Sequence, residues 1–195
     1  MQVRVVDVIF NDIKIVIPEI FQDERGFFME VYREDQYASL DLPGKFVQDN
    51  HSGSTKDVLR GLHFQYEPPM GKLIRVTVGT AFLVAVDIRK GSPSFGKWFG
   101  DMFSADNRKM LWAPAGFARG FLSISDYAEI QYKATGIYNK NGEGSIHWDD
   151  PDIGVQWPCT APILSARDRN AQSLVQWKES KESEMLRYDP DNRMI

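Results

Sequence analysis

Between residues 46 and 138 the chain never runs far without a turn signal, and this restricts its fold more than any other feature. Short apolar or alternating segments succeed one another: 46–50, 58–65, 73–78, 81–89, 98–103, 109–113, 120–124 and 128–138. Between them stand Gly53, Pro68-Pro69, Gly79, Gly91-Ser92-Pro93, Asp106-Asn107 and Pro114-Ala115-Gly116. Residues of this kind set the backbone angles of turns, so the intervening runs are too short for helices and read as strands. Many short strands at this spacing predict a mainly β protein, an antiparallel barrel or double-sheet jelly roll. Within residues 81–89, Phe82, Val84, Val86 and Ile88 share one face, and Leu83, Ala85 and Asp87 the other.

The flanks fit the same domain. Residues 3–17 are largely apolar with interspersed polar positions, and Ile13, Ile15 and Ile17 share one face of a strand-like segment that Pro18 closes. Asp23-Glu24-Arg25-Gly26 predicts a turn leading into an aromatic strand. Short helices are expected at 33–40, stopped by Pro43-Gly44, and at 171–181, followed by a charged tail with little to bury. With 195 residues and neither repeats nor a linker, one domain covering 1–195 is expected. The net charge of −4 gives no general attraction for nucleic acid or anionic membrane. No apolar run nears the roughly 20 residues of a membrane span, and the first residues lack the apolar core of a signal peptide, so a cytoplasmic location is expected. Cys159 is the only cysteine, which excludes an intrachain disulfide.

One histidine stands out chemically. His63 lies inside Val58-Leu59-Arg60-Gly61-Leu62-His63-Phe64-Gln65, with Lys72 and Arg75 soon after. An imidazole titrates near neutrality, so beside cations it can serve as a base towards a carbon acid; in a core it can equally be a hydrogen-bonded structural residue. The chain's three histidines show no His-x-His or His-x-x-x-His spacing, which argues against a metal centre. No phosphate loop, dinucleotide fingerprint or Gly-x-Ser-x-Gly elbow occurs. Regular alternation would put Arg60 and His63 on opposite faces, so both reach one pocket only if Gly61 marks a bulge or twist, or if Arg60 sits at the rim.

A series of spaced blocks then resembles the dTDP-4-dehydrorhamnose 3,5-epimerase family. They are Phe21-x-Asp23-x-Arg25-Gly26-Phe27-Phe28-x-Glu30, Phe46-Val47-Gln48-Asp49-Asn50-x-Ser52, the block around His63, Gly71-Lys72-Leu73-x-Arg75, and Val84-Ala85-Val86-Asp87-x-Arg89. Ser92-Pro93-x-Phe95-Gly96, Leu111-Trp112-x-Pro114-x-Gly116-Phe117-Ala118, Tyr132-Lys133-Ala134-Thr135, Trp148-x-Asp150 and Leu164-Ser165-x-x-Asp168 follow in the family's order.

The resemblance implies a cupin-like jelly roll that epimerises a nucleotide-linked 4-keto-6-deoxyhexose without a cofactor or metal. It implies His63 as base, Asp168 as its partner, Tyr132 as the opposing acid and Lys72 near the developing oxyanion. Arg60 adds positive charge there or at the pyrophosphate, Gln48 and Asn50 line the pocket, and Tyr138 and Arg167 stand at the pyrophosphate end. Phe21, Arg25 and Glu30 imply a homodimer whose N-terminal strands exchange and hold the partner's nucleotide.

Two departures occur together. Arg119 stands where the family's Gly-Phe-Ala-x-Gly-Phe block carries histidine, and Leu83 where an aspartate is usual. Such a change can restrict inversion to C3 or C5 alone, or fit a CDP- or GDP-linked sugar. A 3,4-ketoisomerase and a non-catalytic carbohydrate-binding jelly roll are the other readings, and the nucleotide stays open.

Overall fold

The computed structural model describes residues 2–190. Among the described residues thirteen strands form two antiparallel sheets and one separate hairpin. In chain order they are β1 (Val3–Ile9), β2 (Ile13–Pro18), β3 (Ile20–Asp23), β4 (Gly26–Met29), β5 (Gln48–Thr55), β6 (Leu59–Gln65) and β7 (Lys72–Val78). Then follow β8 (Thr80–Asp87), β9 (Trp98–Ser104), β10 (Met110–Ala113), β11 (Phe117–Ser123), β12 (Tyr127–Ala134) and β13 (Glu143–Ser145). The first sheet runs β1-β2-β10-β7-β12-β5 and the second β13-β6-β11-β8-β9, while β3 and β4 pair only with each other. This is the expected double-sheet jelly roll.

The inward faces of the two sheets close over Ile13, Ile15, Ile74, Val76, Leu83, Ala85, Leu111 and Ile130, all buried. Both faces of β8 are buried, as its unbroken apolar run requires. Leu83 and Ala85 join the inter-sheet core, whereas Val84, Val86 and Ile88 pack outward beneath Leu174, Trp177 and Leu186. The chain after residue 164 supplies that cover through α2 (Ala166–Arg169), α3 (Leu174–Glu179) and a 3-10 turn over Glu182–Leu186. Ser173 caps α3 reciprocally with Gln176, and Trp177 Nε1 donates to the Ile88 carbonyl at 2.9 Å. The tail buries more than its charges suggest: Leu186 is fully enclosed and Lys90 pairs with Glu184.

The first expected helix is α1 (Glu34–Ser39), which sets Tyr37 against Val16, Leu73 and Trp112 on the outer face of the first sheet. The second expected helix is shorter than its polar pattern, because Ser173 fixes its start and Ser180 its end. The expected strand-like segment with Ile13, Ile15 and Ile17 is β2, and Phe10 and Asn11 adopt positive φ where β1 folds back onto it. No described helix is long and apolar enough to cross a membrane.

Candidate active site

The site sits between the sheets, at the end their apolar core leaves open. A cavity of about 280 Å³ is lined by Arg60, His63, Leu83, Arg119 and Phe121 from one sheet and by Asn50, Lys72, Ile74, Ile130 and Tyr132 from the other. The two chemically important groups therefore come from opposite walls, His63 on β6 and Tyr132 on β12.

Arg60 and His63 share this cavity because β6 carries a bulge. Arg119 on β11 pairs with His63 and Phe121 with Arg60, so Gly61 and Leu62 together face Gly120. Only glycine fits there. Gly61 has φ +134°, and a Cβ on it would lie 2.5 Å from the Cα of Gly120 and 2.9 Å from the Arg119 carbonyl oxygen. The bulge adds one residue between Arg60 and His63 and brings both to the same face. Arg60 is also fastened near the rim, where its Nε donates to Ser54 Oγ at 3.1 Å and Nη2 to the Gly53 carbonyl at 3.2 Å.

His63 is oriented from behind. Its Nε2 lies 2.5 Å from Oδ1 of Asp168, whose side chain is almost wholly buried. The other carboxylate oxygen accepts from Ser165 Oγ at 2.8 Å, and Ser165 Oγ in turn accepts from the Asp168 amide as N-cap of α2. The Leu-Ser-x-x-Asp spacing thus builds a one-turn platform for the carboxylate. Burial would raise the Asp168 pKa, but hydrogen bonds from His63 and Ser165 outweigh it and hold the group below the usual carboxylate range. A carboxylate at Nε2 keeps the proton on that nitrogen and leaves the Nδ1 lone pair free to accept one.

On the facing wall, Asn50 Nδ2 donates to Tyr132 Oη at 2.7 Å, and Gln48 Nε2 donates to Asn50 Oδ1 at 3.0 Å. With its oxygen accepting from Asn50, the Tyr132 hydroxyl proton is free to be donated elsewhere, and the phenolate left behind would keep a donor. Lys72 Nζ lies 4.4 Å from the centre of the Tyr132 ring. Burial, with the Arg119 guanidinium adding to it, pulls the Lys72 pKa down to about 7.

The remaining expected residues fall into two groups. Gln48 Oε1 accepts from the Tyr138 amide at 2.8 Å, while Tyr138 Oη and Arg167 Nη1 each donate to Glu143 Oε1 at 2.7 Å. Glu143 is the residue sequence reasoning passed over; its signal was only a single acid between Gly142 and Gly144. Phe21, Arg25 and Glu30 do not line the cavity. Phe21 and Arg25 stand on the exposed β3–β4 hairpin, where Arg25 pairs with Asp23, and Glu30 follows it beside Arg33. Among the described residues no cluster of three or more His, Cys, Asp or Glu side chains could hold a metal ion.

The sequence model for dTDP-4-dehydrorhamnose 3,5-epimerase matches residues 7–176. The chain is 53% identical over 168 residues to the dTDP-4-dehydrorhamnose 3,5-epimerase of Salmonella typhimurium, covering 85% of this chain and 92% of that one. It is 47% identical over 190 residues to the enzyme of the same name from Neisseria gonorrhoeae, covering 97% of this chain but only 56% of that longer relative. A crystal structure of dTDP-6-deoxy-D-glucose-3,5-epimerase from Legionella pneumophila, in complex with dTDP-4-keto-L-rhamnose, superposes with a TM-score of 0.90 at 41% identity, covering 96% of this chain and all of that one. The chain belongs to the dTDP-4-dehydrorhamnose 3,5-epimerase family.

Proposed function

We propose that the chain epimerises a dTDP-linked 4-keto-6-deoxyhexose at a carbon next to the ketone. The observation that carries this is the placement of an Asp-held imidazole and a tyrosine hydroxyl on opposite walls of one cavity, with a cation beside them. Inversion needs a proton to leave one face of the ring and another to arrive on the opposite face.

His63 Nδ1 takes the proton, the C–H pair becomes the C=C bond, and the carbonyl pair moves to the C4 oxygen. Lys72, in its ammonium form, meets that negative charge. Tyr132 then delivers its proton to carbon from the other side, the enolate pair returns, and Asn50 holds the phenolate. Asp168 positions His63 and stabilises the imidazolium. Arg60, Tyr138 and Arg167 are suited to the diphosphate, since guanidinium forks match phosphate oxygens. A second copy supplies Phe21, Arg25 and Glu30 through the hairpin, which exposes Ile20, Phe21, Phe27 and Phe28 and pairs with neither sheet.

Proton NMR in deuterated water tests the reading. dTDP-4-keto-6-deoxyglucose is expected to lose its ring proton signals next to the ketone, and H63N to stop the loss. Deuterium at both C3 and C5 identifies a double epimerase, and at one carbon a single-centre enzyme. No exchange with the dTDP sugar, against exchange with its CDP or GDP counterpart, would overturn the nucleotide assignment. No exchange with any of them would overturn the activity.

A further inference from the structure

Among the described residues, Arg119 is the one cation with two buried donor nitrogens that find no partner. It is 4% exposed, and its Nη2 alone is engaged, donating to the carbonyls of Met70 at 2.6 Å, Pro114 at 2.7 Å and Ala113 at 3.3 Å. Its Nε and Nη1 are buried and find no acceptor in the protein. Among the described residues no aspartate or glutamate lines the cavity that Arg119 borders, and the neighbouring inward position on β8 is the apolar Leu83. Burial draws the guanidinium pKa down to about 9. A cation held this way by three carbonyls, with two donor nitrogens unpaired and no counter-ion among the described residues, is arranged for an acceptor that brings negative charge with it.

We propose that Arg119 is a catalytic and specificity-determining residue of this chain, donating to the C4 oxygen of the bound sugar as that oxygen becomes an enolate, and that Leu83 keeps its charge uncompensated. This rests on the epimerase reading above. Arg119 stands directly opposite His63 on the adjoining strand, so its charge approaches the ring from the wall that removes the proton, while Lys72 approaches from the other sheet. The guanidinium stays charged where the Lys72 ammonium titrates near neutrality, so the site keeps a fixed positive charge at a pH where Lys72 alone would lose part of its own.

Leu83 also offers a way to silence the charge without removing it. Leu83 pairs with Phe121 and Ala85 with Arg119, which makes residues 83 and 119 diagonal neighbours on one face. L83D would place a carboxylate within reach of the free N–H groups and consume them in an internal ion pair.

The test compares R119K, R119M, L83D and L83N with the wild-type chain. It follows deuterium wash-in on dTDP-4-keto-6-deoxyglucose as kcat, and dTDP affinity separately. R119M is expected to lower kcat by ~10²–10³-fold, the usual effect of losing one oxyanion donor, with dTDP affinity within about twofold. R119K, which keeps a charge but loses the fork, is expected to fall between R119M and wild type. L83D is expected to fall at least about tenfold below L83N, which matches its shape without its charge. If R119M fails to fold because three carbonyls lose their donor, the L83D–L83N comparison decides. Equal kcat in L83D and L83N, or wild-type kcat in a folded R119M, overturns the proposal. A wild-type chain that exchanges no ring proton fails on the epimerase reading instead, so the two failures are separable.

Discussion

Asp168→Asn should stop proton abstraction by turning the imidazole's proton the wrong way, and the structure supplies the reason. Ser165 Oγ donates to one carboxylate oxygen and the α2 cap fixes the backbone beneath it, so an asparagine here would keep its oxygen towards Ser165. Its amide then presents N–H to His63 Nε2, where Asp168 now accepts at 2.5 Å. Nε2 must become the acceptor and the proton moves to Nδ1, the nitrogen proposed to take the sugar's proton. The base is lost with little change of shape, and the counter-charge for the imidazolium goes with it. Loss of a triad-type carboxylate of this kind costs ~10³–10⁴ in rate, about 4–5.5 kcal/mol of transition-state stabilisation. The assay is deuterium wash-in at saturating sugar, with the His63 ring nitrogens read by ¹⁵N NMR. Wild type is expected to carry its proton on Nε2 and D168N on Nδ1, with unchanged dTDP affinity. A D168N rate within tenfold of wild type, or slow turnover with the proton still on Nε2, would refute the argument. The depressed Asp168 pKa adds a stability signature. Its contribution is complete above the ordinary carboxylate pKa and is lost as pH falls through the folded value, so acid unfolding of D168N should show a shallower pH dependence.

Three further outcomes follow from the same geometry. G61A places a Cβ against the backbone of Gly120 at a positive φ and should cost about 3–5 kcal/mol in urea unfolding; an unchanged midpoint would show that the bulge tolerates a side chain. K72M removes an amine whose folded pKa is near 7. Since the unfolded chain holds that proton up to the ordinary value of about 10.5, the wild-type penalty is full below pH 7 and fades as pH rises through this window. K72M should therefore be the more stable protein by about 1–3 kcal/mol at pH 6, allowing for cavity water and the lost ring contact, with the gap closing by pH 10; equal gaps at both pH values would refute it. If the proposed second copy docks through the hairpin, the wild type is expected to elute as a dimer in size-exclusion chromatography and F27D/F28D, at two hairpin residues that are 56% and 60% exposed, as a monomer; equal elution would refute it.

The β content was readable because it rests on local chemistry: turn residues punctuate the strands. The site residues were named through the resemblance of spaced blocks, since taken alone His63 and Tyr132 read equally well as core residues. What was not readable depends on contacts distant in sequence. Alternation alone sends Arg60 and His63 to opposite faces, and Gly61 marked a bulge only as one alternative; the pairing of Arg119 and Phe121 across β11 selects it, with Gly61 and Leu62 taking one place. The tail looked peripheral because it is charged, yet Trp177 and Leu186 are buried against the outer face of β8, which already had an apolar face to cover. Glu143 escaped notice because its partners, Tyr138 and Arg167, lie five and twenty-four residues away on other segments.

His63 and Tyr132, the proposed base and acid, belong to different sheets, and this separates two things that most catalytic sites bind together. The gap between His63 and Tyr132 is spanned by the packing of Ile74, Leu83, Leu111 and Ile130, so it is a dimension of the whole sandwich and not of any loop. Residues on the interior walls that touch neither group can then drift and retune which sugar is accepted while the proton path keeps its length.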